Sequence, residues 1–289
     1  MTAAILPVRR NLQFYLPQNK IDNWNGGGEH WTQFMNTLSI FFPAGERFFM
    51  KSVRNYRNQI IDAELKKAVS AFIGQEAFHT REHEEYNEAM ANAGIPVNEL
   101  EGQVQTLLDF VDEKLPNSVK LAVTVSLEHL TAMLADVVMG DERFMKDADP
   151  HYKALWQWHA MEETEHKGVA YDVYETAMGK GLKAYAIRTS VFLAANVIFW
   201  SLFYRYYYLV VKSRGEHKNI KGWAKSFRLQ FGRGGVFPTL FGDWLSFFKF
   251  SFHPWDINNV EVLDGAEDLM KLVDQFAETA KLNIKPKAA

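Results

Sequence analysis

The sequence predicts an all-α fold: a four-helix bundle with one long crossover connection, followed by a helical, aromatic-rich C-terminal region. Three observations predict it. Apolar residues recur at intervals of three and four from Glu29 to about Gly179, with Gly and Pro sparse inside the periodic segments. The periodic stretches come as two long ones joined tightly, a long connection, then two more joined tightly. The last third changes character, with long uncharged and aromatic runs.

In chain order, residues 1–28 read as an irregular arm punctuated by Pro7, Pro17 and Gly26-Gly27-Gly28. A first helix is expected from Glu29 to Tyr56, kinked or split at Pro43. The second runs from Ile61 to Ala93 and stops at Gly94, with Pro96 beyond. A shorter crossover helix covers Glu99 to Lys114. The third bundle helix follows Pro116-Asn117-Ser118, read as a capping sequence, and ends at Gly140. The fourth spans Pro150 to Gly179, closing a bundle assigned to residues 29–182. In the C-terminal region, 183–289, residues 189–204 carry no formal charge, Arg205 interrupts, and YYYLVV continues to Val211. Residues 212–233 then hold seven basic residues against one acid, a local +6 that leaves −9 for the rest of a chain of net −3. Asp264 to Leu282 reads as a final amphipathic helix.

The 289 residues fit one large domain or a core with an appendage, and 47 % apolar against 23 % charged residues excludes a disordered chain. The overall charge gives no footprint for nucleic acid. The chain has no cysteine, which excludes disulfides, thiolate zinc sites, iron–sulfur clusters and cysteine nucleophiles. G-x-S-x-G is absent, and the three-glycine run lacks the strand and helix of a phosphate loop. The first residues show no basic and apolar pattern of a secretory signal, so the expected location is cytoplasmic, with contact to the inner face of the membrane an option raised by 189–233. A spanning helix there would put the later HPWD segment across the membrane from the bundle, so a packed or interfacial helix is favoured.

One constellation carries chemistry. Glu46 lies in FPAGERFF on the first helix. Glu76 and His79 form E-A-F-H on the second, Glu128 lies in SLEHLTA on the third, and Glu163 and His166 form E-T-E-H on the fourth. A spacing of three puts both side chains of a pair on one helix face. Gaps of 30, 52 and 35 between the successive glutamates place two short intervals around a long one, as a single crossover requires. A Glu, Glu-x-x-His, Glu, Glu-x-x-His order is the ligand pattern of ferritin-like di-iron and di-manganese bundles. Carboxylate with imidazole suits two Fe or Mn ions better than soft metals. The alternative, solvated helix faces, fits the charged run Arg81-Glu82, Glu84-Glu85 but not Glu128 in its apolar surroundings.

Rotation about the helix axis sorts the neighbouring residues. His83 is four after His79 and reads as outer support or surface. His159 is four before Glu163 and reads as either a seventh ligand or support. His129 and Glu162 are turned by about 100° from their ligand neighbours and are left out. Asp62, Asp136 and Asp172 are candidates to hold ligating imidazoles or are plain surface acids.

FPAGERFF, FIGQEAFHTREHEEYN, TVSLEHLTA, WHAMEETEHKGVAYDVY and FHPWD together resemble the bacterial family of predicted metal-dependent hydrolases, over most of residues 30–256. His159-x-x-x-Glu163-x-x-His166 is similar to the fourth-helix motif of the arylamine N-oxygenases, where the first His is an extra ligand on one iron. The ligands point first to an oxidase or oxygenase that uses O₂ and an external electron donor on a small hydrophobic substrate. The first resemblance implies the alternative, hydrolysis of an ester or phosphoester. Non-catalytic iron binding is a further alternative, and a homodimer is compatible with the C-terminal aromatics.

Overall fold

The computed structural model describes residues 5–284; residues 1–4 of the arm and 285–289 of the C-terminal region lie outside them. The fold is all-α, with no strand among the described residues. Helices α1 (Glu29–Arg54), α2 (Ala63–Asn92), α4 (Asn117–Gly140) and α5 (Pro150–His166) gather round one core, and α3 (Val97–Lys114) crosses between the two tight pairs along α1.

Several expected boundaries move for identifiable reasons. Pro43 neither splits nor ends α1. A proline cannot bond the carbonyl four residues back, here that of Ser39, and Asn87 Nδ2 donates to that oxygen instead. Asp62 holds no imidazole; its side chain caps α2 by accepting from the Leu65 N–H at 2.8 Å. At the other end Gly94, with φ +87°, takes the left-handed turn. The N–H groups of Ile95 and Gly94 then return to the carbonyls of Met90 and Ala91. Asn117 and Ser118 provide no cap, since α4 begins after Pro116 without a side-chain bond.

The fourth helix is two helices. α5 ends at His166 and α6 runs Val169–Met178. A Cβ on Gly168 would lie 2.6 Å from Trp255 Nε1, so the break is where an indole from far along the chain presses on bare backbone. His253 of the same HPWD segment lies with Nε2 3.0 Å from Asp172 Oδ1, so Asp172 holds a histidine outside the ligand set. Asp136 is engaged by Asn259.

α7 (Leu182–Ser213) packs along α1 and α4, and α8 (Ile220–Phe231), α9 (Val236–Ser246) and α10 (Ala266–Ile284) follow. Phe192 of α7 stacks on Phe247 at 4.0 Å, and Phe34 of α1 meets Phe203 edge-on. Buried Arg188 donates to the carbonyls of Phe247 and Lys249. The arm, irregular apart from a single turn at Gln18–Lys20, is pinned by buried Phe14 against Trp158 and by Trp24 stacked on Tyr152.

Candidate metal centre

The structure brings Glu46, Glu76, His79, Glu128, His159, Glu163 and His166 into one buried cluster at the middle of the bundle. His166 Nε2 lies 3.2 Å from Glu76, 3.4 Å from Glu128 and 3.5 Å from Glu163. His79 Nδ1 is 3.7 Å from Glu163, and His159 Nε2 is 3.1 Å from the same carboxylate. Donor atoms group as Glu76, Glu128 and His166, as Glu46, Glu76 and His79, as His79, His159 and Glu163, and as Glu46, His83 and His159, each group within 4.8 Å. Glu76 belongs to two of these groups.

The donors fit cations by a specific test. Both oxygens of Glu46, Glu76 and Glu128 are buried without a hydrogen-bond partner, as are Nδ1 of His79 and Nε2 of His159 and His166. Unmet polar atoms are costly in a protein core, and so many converging on one point form a site for positive charge. Each of the three imidazoles has one orphaned nitrogen and one that is held. His79 Nε2 is 3.1 Å from Glu162, His166 Nδ1 is 3.0 Å from Gln75, and His159 Nδ1 is 2.7 Å from His83. In the neutral ring the held nitrogen carries the proton and the other's lone pair is open to a cation, whereas with no cation Nε2 of His159 and His166 serves as donor to Glu163.

His83 is therefore neither surface nor spectator. It is fully buried, and its Nδ1 meets Ser39 Oγ at 2.9 Å, while that hydroxyl donates to Asn87 Oδ1 at 2.8 Å. Glu162, set aside on rotation alone, reaches across to the opposite helix. Gln75 and Arg10 were missed. Arg10 donates to Glu162 and Glu165, and Gln75 donates to Glu165 and the Val8 carbonyl. A signal was present: both paired motifs read Gln/Glu-Glu-x-x-His, and the residue before each Glu serves the other helix's histidine. His129 lies outside the cluster, packed on Phe247 and Phe252.

Burial pushes the carboxyls of Glu46, Glu76 and Glu128 well above the usual range, and neighbouring carboxylates add to this at Glu76 and Glu128. Burial pushes Glu163 the same way, but the imidazoles of His166 and His159 overcome it and hold this carboxyl well below. Burial and adjacent imidazoles keep His79 and His83 neutral, the form that binds metals.

Fold and site together define an all-α protein with a buried carboxylate–imidazole centre able to hold metal ions. The family described as predicted metal-dependent hydrolase matches residues 8–258, and the chain belongs to that family. No curated protein and no solved structure matches it. The family corrects the expectation of an oxidase or oxygenase and backs the alternative, metal-dependent hydrolysis. The ligand types could not separate the two, because the donor set fixes the hardness of the metal and the same ions serve as Lewis acids without changing oxidation state.

Proposed function

We propose that the protein is a metal-dependent hydrolase of an ester or phosphoester with a hydrophobic part. Glu46, Glu76, His79, Glu128, Glu163 and His166 would hold two divalent ions, with His159 beside them; Mn(II) and Fe(II) suit these ligands. The observation that carries the reading is the set of orphaned, inward-facing donors in a chain of this family. Bound ions supply Lewis acidity to the substrate's oxygen and make water a stronger acid. The chain does the rest. Glu162, Gln75 and His83 orient the three imidazoles. Thr131 donates its hydroxyl proton to Glu163 and fixes that carboxylate. Phe42 and Trp158 pack on the imidazoles and exclude bulk water. The test is hydrolysis of 4-nitrophenyl butyrate and bis(4-nitrophenyl) phosphate with and without O₂, after chelation and after return of Mn(II). Turnover that follows metal and ignores O₂ is expected; no turnover of either compound at full metal loading would falsify the reading.

We further propose peripheral contact with an anionic membrane. α7 is long and apolar enough to cross a bilayer, yet His253 is bound back on Asp172 beside the bundle, which suits an interfacial helix better. Its exposed Leu193, Val197 and Ile198 face outward, and α8 interleaves exposed Phe227 and Phe231 with Lys221, Lys225 and Arg228. Co-sedimentation with phosphatidylglycerol vesicles is expected, weakened by about 1 kcal/mol for each of these three cations removed. Equal recovery with and without vesicles would remove the proposal.

A further inference from the structure

We propose that the cavity between α1, α3, α4 and α7 binds an alkyl chain, and that the substrate is an ester of such a chain. This rests on the hydrolytic reading of the metal centre. The cavity measures about 220 Å³, against the roughly 150 Å³ of a dry aliphatic cavity that admits benzene. Of the described side chains that line it, only that of Thr131 is polar, and its hydroxyl is committed to Glu163. Such walls reject water and ions and accept hydrocarbon.

Position distinguishes a substrate site from a packing gap. At the inner end the walls include Gly45 and Leu127, the residues just before Glu46 and Glu128. Phe42 forms another wall there, its ring centroid 4.6 Å from the rings of both His83 and His159. A second cavity of about 40 Å³ shares Leu38, Phe42, Thr131 and Leu134 with the first and touches His159 and Glu163. The small space suits a carboxyl group at the ligands, the large one the chain behind it. At the outer end the walls are Ala194, Ala195 and Ile198 of α7, and Ala194 and Ile198 are themselves exposed beside Leu193 and Val197. The two adjoining cavities thus lie between the outer face of α7 and the candidate ligands His159 and Glu163, and a chain lodged in the larger one with its ester end in the smaller would present that end to them.

The test uses the full chain, chelated and Mn(II)-loaded, with the uncharged 1-dodecanol and 1-octanol as probes in titration calorimetry. Dodecanol should bind the chelated protein, and affinity should fall about fourfold for each methylene removed. Ala195→Trp, inside the cavity, and Ala194→Trp, at its exposed mouth, should each weaken dodecanol at least tenfold. The mouth variant keeps the test decisive if the inner one fails to fold. In the loaded protein the ratio of dodecanoyl to acetyl ester turnover should drop in both. No binding of dodecanol by the unsubstituted chain, or unchanged affinity in folded variants, overturns the inference. Chain binding in the chelated protein is independent of turnover. Binding without hydrolysis of any ester therefore sinks the hydrolase reading alone, and hydrolysis without chain binding sinks this one alone.

Discussion

The α2–α5 half of the centre differs from the α1–α4 half. On α2 and α5 every imidazole is gripped from behind, and the grip is reciprocal: Gln75 of α2 holds His166 of α5, and Glu162 of α5 holds His79 of α2. On α1 and α4 the donors are single carboxylates, Glu46 and Glu128, whose buried oxygens make no well-formed hydrogen bond, though His166 Nε2 lies 3.4 Å from Glu128. Their neighbours along the chain, Gly45 and Leu127, wall the apolar cavity. One half holds its imidazoles with polar supports; the other contributes only carboxylates, bare as Glu76 of α2 also is, and its helices wall the apolar cavity. If the centre acts as proposed, the first half would keep its geometry and the second would lie nearer the substrate.

The sharpest way to break the comparison is to remove a bare carboxylate. Glu128→Ala should abolish binding of at least one ion, read as metal per chain by elemental analysis. It should also raise the melting temperature of the metal-free protein, because an uncompensated buried carboxyl is costly, by a few kcal/mol at most. Full metal content in this variant would contradict the assignment.

Both halves hold histidines neutral by burial, and α4 offers one outside the cluster whose acid response can be read on its own. Burial, opposed only weakly by the Asp243 carbonyl, lowers the imidazole of His129 on α4 to about 4. Its unfolded value lies near 6.5. A histidine held neutral stabilises the fold fully above the unfolded value, and that contribution disappears as pH falls from about 6.5 to 4. The loss is about 3 kcal/mol. Denaturant titrations of the wild type and His129→Phe across this window should diverge by that amount, and parallel curves would refute it.

Next come the supports. Gln75→Ala and Glu162→Ala should each cost roughly 10- to 100-fold in metal affinity while still loading two ions at high metal. Effects no larger than at a surface position would show that the reciprocal grip is incidental. His159→Ala sharpens the division: a loss of this size marks a support, whereas loss of a whole ion marks a ligand. The smallest effect is expected one bond further out. Ser39→Ala, which removes the hydroxyl behind His83, should lower affinity by less than either direct support.

That these donors would meet was legible because spacing within one helix is enough to place Glu76 with His79 and Glu163 with His166 on shared faces. Their supports were not, because the same reasoning judges Glu162 by its own helix. A turn of about 100° removes it from that helix's ligand face and delivers it to the neighbour's histidine. The break after His166 was hidden for a related reason. Gly168 is tolerable within a periodic stretch, and Trp255, which forces the issue, lies 87 positions along the chain. Pro43 misled in the other direction, since the residue that satisfies the freed carbonyl, Asn87, sits on another helix. Local pattern carried the donors, and contacts between helices decided everything that orients them.

The N-terminal arm joins both supports at one point. Arg10 bonds Glu162, which holds His79, and Glu165, which shares Gln75 with His166. If the centre holds metal, docking of the arm and occupation of the centre would be thermodynamically linked. Whatever factor metal gained from a docked arm, the arm would gain from bound metal, because coupling between two binding equilibria is reciprocal. An Arg10→Ala variant, which removes the shared contact, would then lower metal affinity from outside the bundle.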